Sequence, residues 1–180
     1  MNITQLSKNF NYSLLSLGIS GLQKMYNLKP QFFSYGEART LFNNLGMKAI
    51  PVSQMDTQYA YLDVETAEPL VWDVMTFLNK IAYRAETFDC DNFSFLTSSL
   101  FSLFFNINTC GTIWGDIYDA QTGKFIAGHY FNGITTYNPL YKKFKLYVAD
   151  SLNPGFTEVE RDKPIIINSW EYRIKKGNFY

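Results

Sequence analysis

The sequence predicts an α+β fold, because segments with helical periodicity come before segments with strand alternation. Apolar residues recur at helical spacing from Val71 to Ala82, and a second apolar stripe follows Asp89. Further along the chain, 143–150 alternates between charged and apolar residues. With 180 residues, 47% of them hydrophobic, the chain can form one compact domain with a sizeable core. We expect an N-terminal segment, 1–48, to precede the main domain, 49–180.

Three helices are predicted. The first covers Ser34–Leu45, and the second opens just before Pro69, a residue that suits a first helical turn, and ends near Tyr83. The third starts within Asp89–Asn92, since aspartate and asparagine side chains accept hydrogen bonds from the free backbone N–H groups of a helix start. It ends by Asn106–Asn108 and, because apolar residues occupy most of one side, is expected to be central and buried.

The remainder of the chain predicts an antiparallel sheet. The expected strands are 112–118, 124–134, 143–150, 164–168 and 170–174. In 143–150 the side chains of Phe144, Leu146, Val148 and Asp150 share one face. The lysines occupy the opposite face, which is therefore the outer one, so Asp150 is expected to point inward.

Charge and composition exclude several classes of protein. The net charge is zero, which argues against a nucleic-acid binder that works by phosphate neutralisation. The sequence shows no apolar run of about 20 residues that would predict a membrane span. Aromatic residues make up 18% of the chain. This content predicts either an aromatic core or an apolar surface that is covered by a second copy of the chain or by another partner.

Cys90 is the candidate nucleophile. It lies at a predicted helix start, where partial positive charge favours the thiolate form of a cysteine. The flanking Asp89 and Asp91 can cap the helix and leave the thiol to a neighbouring base. The alternative is a buried structural cysteine, which is what we expect of Cys110. Zinc binding by this cluster is disfavoured, because a second pair of cysteine or histidine ligands is missing.

His129, the one histidine of the chain, is the candidate base, and Asp150 is the candidate orienting acid. A hairpin turn centred on Pro139 and Leu140 would place His129 opposite Asp150. A second hairpin turn, centred on Gln121 and Thr122, would place Trp114 opposite His129. In such a triad the cysteine attacks, the histidine takes its proton and the carboxylate orients the imidazole.

The motifs FDCDNFSF, GHYFN and YVADSLNPGF, in this order, resemble the papain-like and transglutaminase-like cysteine peptidases. The resemblance covers about residues 50–165 and is strongest to the protease domain at the C-terminus of a mushroom agglutinin and its bacteriophage relatives. It implies a papain-like (transglutaminase-like) fold, in which a central helix carrying Cys90 packs on an antiparallel sheet carrying His129 and Asp150. Asn92, Tyr130 and Asp150 depart from the residues that are common in that family.

On this resemblance the chain would be a cysteine hydrolase that cleaves peptide or related amide bonds through an acyl-enzyme. The oxyanion would need a second donor beside the Cys90 N–H, with Gln58, Asn79 and Trp114 as candidates. Asn153 is the fallback orienting residue.

No cofactor is expected, although the resemblance leaves calcium at Asp89 and Asp91 open. The expected partner is a peptide or protein substrate, and the expected location is cytoplasmic or virion-associated. The alternative is a catalytically silent interaction protein on the same scaffold, such as a phage virion component.

Overall fold

The computed structural model describes residues 28, 30–47, 58–85 and 88–178. Within these ranges the chain forms eight strands and three helices. The elements in chain order are β1 (Gln31–Ser34), α1 (Tyr35–Asn44), β2 (Gln58–Tyr61), α2 (Val64–Leu78), α3 (Cys90–Phe105), β3 (Cys110–Asp119), β4 (Phe125–Asn138), β5 (Lys143–Asp150), β6 (Gly155–Glu158), β7 (Ile165–Ile167) and β8 (Trp170–Asn178). None of the described helices is long and apolar enough to cross a membrane.

The first and third helices begin where their capping residues predict, but α2 begins at Val64, so Pro69 lies inside this helix and not in its first turn as predicted. Ser34 caps α1 in a capping box with Glu37, in which each side chain accepts a hydrogen bond from the backbone N–H of the other residue. The second helix ends at Leu78 rather than near Tyr83. The backbone tightens here into a turn, in which the N–H of Ile81 donates to the carbonyl of Leu78. Because Ile81 still packs on the core from this turn, the apolar spacing continues past the end of the helix.

The main sheet has six antiparallel strands in the order β6-β5-β4-β3-β8-β7. Its two edge strands approach each other: the Thr157 hydroxyl donates to the Ile166 carbonyl at 3.2 Å. Gly155 sits so close to Ile167 that an added Cβ would overlap with that side chain. The sheet is therefore a nearly closed barrel, and the fold is mostly β. The predicted α+β, papain-like fold is wrong, because local patterns show where strands lie but not how far their sheet curls.

Two apolar clusters stabilise this arrangement. One lies between α2, α3 and the sheet, and includes Leu70, Phe101 and Ile134. The other is formed by side chains of all the main-sheet strands except β6, with Ile113 and Val148 fully buried. The small sheet of β1 and β2 packs on this second cluster, as does α1. The proposed domain boundary at residue 48 lies outside the described residues and stays a prediction.

The strand register differs from the predicted one in two places. Gly115, not Trp114, is the partner of His129, because the β3–β4 pairing shifts at an irregularity between Ile117 and Tyr118. Trp114 therefore lies on the opposite face of the sheet from His129. In the β4–β5 pair the loop is four residues long, so that Asn138 pairs with Lys143. This places Asp150 two residues further from His129 along the strands than direct opposition would.

Candidate active site

Cys90 is the first residue of α3, and its thiol is half-buried and free. The helix start is held by its neighbours. The backbone N–H of Asp89 donates to the Asn92 side-chain oxygen at 3.2 Å, and the N–H of Asn92 donates to an Asp91 carboxylate oxygen at 2.7 Å. These bonds satisfy backbone donors of the first turn and leave the thiol without a capping role.

His129 connects this thiol to Asp150. Its Nε2 atom lies 2.7 Å from Asp150 Oδ2, and both side chains are buried. The Cys90 thiol lies near the imidazole and contributes to the shift of its pKa. Burial acts to lower the pKa of His129, but the interactions with Asp150 and Cys90 outweigh burial and raise this pKa to about 9. The three predicted residues therefore lie together, with the imidazole bonded to the carboxylate and close to the thiol.

Asp150 is held by two further donors. The backbone N–H of Leu152 donates to Oδ1 at 2.8 Å. The hydroxyl of Tyr172 donates to Oδ2, the oxygen that also faces His129, at 2.7 Å. Asp150 is only 2% exposed, so these bonds replace the water that the carboxylate would otherwise bind.

Aromatic rings surround the imidazole on the same face of the sheet. Trp170 meets His129 edge to face, with 5.9 Å between ring centroids. Phe131 lies nearly parallel to the imidazole at 6.2 Å, and Tyr172 lies at 6.4 Å. These rings exclude water from the His129–Asp150 bond, and this strengthens the electrostatic attraction between the two groups.

The other predicted site residues lie in different surroundings. Gln58 is exposed at the start of β2, and Asn79 is exposed at the C-terminal end of α2. Trp114 is directed away from His129, as the register shows. A role for these three in binding an oxyanion stays a prediction, and the placement of Trp114 opposite His129 is wrong.

Asn153, the predicted fallback for orienting His129, contacts Tyr172 instead. Its side-chain nitrogen donates to the Tyr172 hydroxyl at 3.0 Å. Its hydrogen bonds therefore reach the imidazole only through two other residues, Tyr172 and Asp150, and not directly as the sequence predicted. Cys110 is buried, and this burial raises the pKa of its thiol to about 12.

Asp89 and Asp91 lie beside the thiol as a close pair. A hydrogen bond between their side chains is the main cause that raises the pKa of Asp91. The described residues contain no group of three acidic, cysteine or histidine side chains arranged to hold a metal. Calcium at this pair of carboxylates stays a prediction that the resemblance alone suggested.

Sequence reasoning missed Tyr172. The signal was present, because Trp170, Tyr172 and Ile174 share a face of the predicted final strand by alternation. What the pattern does not show is that this strand lies next to β3, so that its inward side chains reach the end of β5. The position of Tyr172 follows from the order of strands in the sheet.

Comparison with solved structures finds matches to Polyporus squamosus lectin. One matching structure, the PSL1a–E64 complex, has a TM-score of 0.51 and 16% identity, and the match covers 82% of this chain and 51% of the lectin chain. Another, the lectin bound to the human-type influenza-binding epitope Neu5Acα2-6Galβ1-4GlcNAc, has a TM-score of 0.51 and 18% identity, and covers 83% and 49%. The chain thus spans about half the length of the solved chains it matches. No protein-family model and no curated protein matches it.

These matches correct several expectations. The matched structures are those of a lectin, so the assignment to papain-like or transglutaminase-like peptidases is wrong. The predicted peptide hydrolysis is wrong for the same reason, and so is the peptide or protein substrate. The phage and virion assignments and the expected location depended on the same resemblance; no comparison tests them, and they stay predictions. The positions of Cys90, His129 and Asp150 do not depend on this resemblance, since the structure itself gives them.

Proposed function

We propose that Cys90, His129 and Asp150 form a nucleophilic thiol centre that joins covalently to an electrophilic carbon of a bound ligand. The observation that supports this proposal is the buried hydrogen bond between His129 and Asp150, beside which the Cys90 thiol lies close enough to influence the imidazole. A nucleophile, a base and a group that orients the base are the parts that such chemistry needs.

The proposed step forms one bond and breaks one. In the reactive form the Cys90 proton already resides on His129, and the sulfur donates an electron pair to the electrophilic carbon. The leaving group departs with the electrons of the bond that breaks. Asp150 stabilises the resulting imidazolium, and the N-terminal end of α3 places partial positive charge near the sulfur.

Alkylation by iodoacetamide at pH 7 tests this proposal. Sulfur displaces iodide from the reagent, and mass spectrometry locates the modified residue. We expect Cys90 to react at least about tenfold faster in the wild type than in a His129→Gln variant, since the variant lacks the base. Cys110 is expected to stay unmodified in the folded protein, because it is buried. Equal rates in the wild type and the His129→Gln variant would remove the imidazole from the mechanism.

E64, which is present in one of the matched lectin structures, is a second probe. We expect one E64 molecule to add to the wild-type chain and none to a Cys90→Ala variant. A Cys110→Ala variant is the matched control, and it should behave as the wild type does. Addition at any residue other than Cys90 would contradict the proposal.

Carbohydrate binding is a second candidate function. One matched structure is of a lectin that is bound to a sialylated glycan, which favours this candidate. This chain also presents an aromatic row, formed by Phe95, Tyr130 and Trp114, with centroid distances of 6.2 Å and 4.9 Å between successive rings. The side chain of Phe95 is 42% exposed. Aromatic rings suit the apolar C–H face of a sugar, while nearby polar groups such as Asp116 suit its hydroxyls.

One ring of the aromatic row, that of Trp114, packs on a glycine of the neighbouring strand. The indole of Trp114 lies against Gly128, where a Cβ would overlap with it. The ring is therefore held in a defined orientation rather than turning freely in solvent. Such preorganisation reduces the conformational entropy that the protein loses when a ligand binds.

Titration calorimetry with Neu5Acα2-6Galβ1-4GlcNAc tests the second candidate. We expect binding by the wild type and at least about tenfold weaker binding by Trp114→Ala. Tyr141→Ala, which removes an exposed ring from the β4–β5 turn, is the control and should bind as the wild type does. Undetectable wild-type binding at millimolar glycan would exclude this glycan as the ligand, and an unchanged Trp114→Ala would exclude the aromatic row.

A further inference from the structure

The hydroxyl of Tyr172 donates a hydrogen bond to the carboxylate of Asp150. Its ring is buried, and burial together with the Asp150 charge raises the pKa of the phenol well above its usual range. The phenol therefore keeps its proton. Since Asn153 donates to the Tyr172 oxygen at 3.0 Å, the single proton of that hydroxyl is left for Asp150, at 2.7 Å.

A second layer fixes Asn153. The side-chain nitrogen of Asn168 donates to the Asn153 side-chain oxygen at 2.7 Å, and this determines which end of the Asn153 amide faces Tyr172. Asn153 also donates to the backbone carbonyl of Ile167 at 3.1 Å. The hydrogen bonds thus run in one direction, from Asn168 through Asn153 and Tyr172 to Asp150.

The same oxygen of Asp150 serves both Tyr172 and His129. Each donor reduces the negative charge that the other one meets. The titratable side chains that face the imidazole are Asp150 from β5 and Cys90 from α3, with Tyr172 of β8 behind the carboxylate. The Leu152 N–H binds the other oxygen of Asp150, so Tyr172 is the neutral donor on the oxygen that faces His129, and it weakens the attraction between Asp150 and a protonated His129.

We infer that Tyr172 is a positioning residue of the proposed thiol centre, on which this role depends. Its hydroxyl, held by Asn153, fixes Asp150 Oδ2 toward His129 and limits how strongly the carboxylate retains the imidazolium. A base that holds its proton less tightly returns it more readily to the bound ligand.

Tyr172→Phe tests the inference, since it removes the hydroxyl and keeps the ring that packs on Phe131. We expect the pKa of His129 to rise by about one unit, because Asp150 loses a competing donor. NMR of the imidazole protons between pH 5 and 11 measures this, and the chain contains one histidine, so the signal is unambiguous. Asn153→Ala, which retains Tyr172, should shift the same pKa in the same direction by a smaller amount.

Tyr147→Phe is the matched control. It removes another buried phenol on the main sheet, one that donates to Glu158 at 3.3 Å, and should leave the His129 titration unchanged. A His129 pKa that stays constant in both Tyr172→Phe and Asn153→Ala overturns the inference. If the pKa of His129 shifts as expected but Cys90 does not react with iodoacetamide, the proposed thiol centre is wrong, while the effect of Tyr172 on Asp150 is confirmed.

Discussion

Asp150→Asn should remove most of the pH dependence of stability that His129 contributes. The pKa of His129 in the folded protein is raised from its ordinary 6.5 to about 9, and Asp150 supplies the largest raising contribution. A raised histidine pKa stabilises the fold fully below about pH 6.5, and this stabilisation is lost as the pH rises through about 9. The difference of about 2.5 units corresponds to about 3 kcal/mol.

Urea unfolding at pH 6 and pH 10, followed by tryptophan fluorescence, measures this effect. We expect the wild type to lose about 3 kcal/mol of unfolding free energy between these two pH values through His129, and Asp150→Asn to lose less than half as much. Other groups titrate in both proteins, so the difference between the two losses isolates the pair. Equal losses would refute the claim that Asp150 holds a protonated imidazole.

Two further predictions concern the backbone around the site. Gly155→Ala should lower the unfolding free energy by about 1–3 kcal/mol in urea titrations, because the added methyl group overlaps with Ile167 where β6 meets β7; an unchanged midpoint would show that these edges separate freely. Asn92→Ala should lower the unfolding free energy by about 1 kcal/mol in the same assay, since the Asp89 N–H loses its acceptor at the start of α3. Asn44→Ala, at the C-terminal end of α1, is the control.

Local features of the site could be predicted from the sequence. Cys90 begins a helix as its flanking aspartates indicated, and the inward parity of Asp150 follows from simple alternation. Capping and alternation depend on residues that are neighbours along the chain, so a single sequence contains the needed information. The bond between His129 and Asp150 was also predicted, although the register used to derive it was wrong.

Features that depend on distant contacts were not predicted. The irregularity at Ile117 shifts the β3–β4 register by one residue, which moves Trp114 to the other face of the sheet. The curl that brings β6 beside β7 depends on summed twist and on close packing at Gly155. The error in register misplaced Trp114, a candidate for binding the oxyanion. The error about the curl of the sheet gave the wrong fold class.

The approach of β6 to β7 also has a kinetic consequence. Asp150 ends the strand before β6, while Asn168 and Tyr172 follow β7, so the bonds among them cross the place where the barrel closes. Separating these two edges would dismantle the environment of His129 while the pairing of β3 with β4 stays intact. Such a partial opening needs less free energy than global unfolding, and native-state hydrogen exchange would detect it as earlier exchange in β6 and β7 than in β3. The reactivity of the thiol would then vary with the lifetime of the closed barrel, a quantity that mutations far from Cys90 can change.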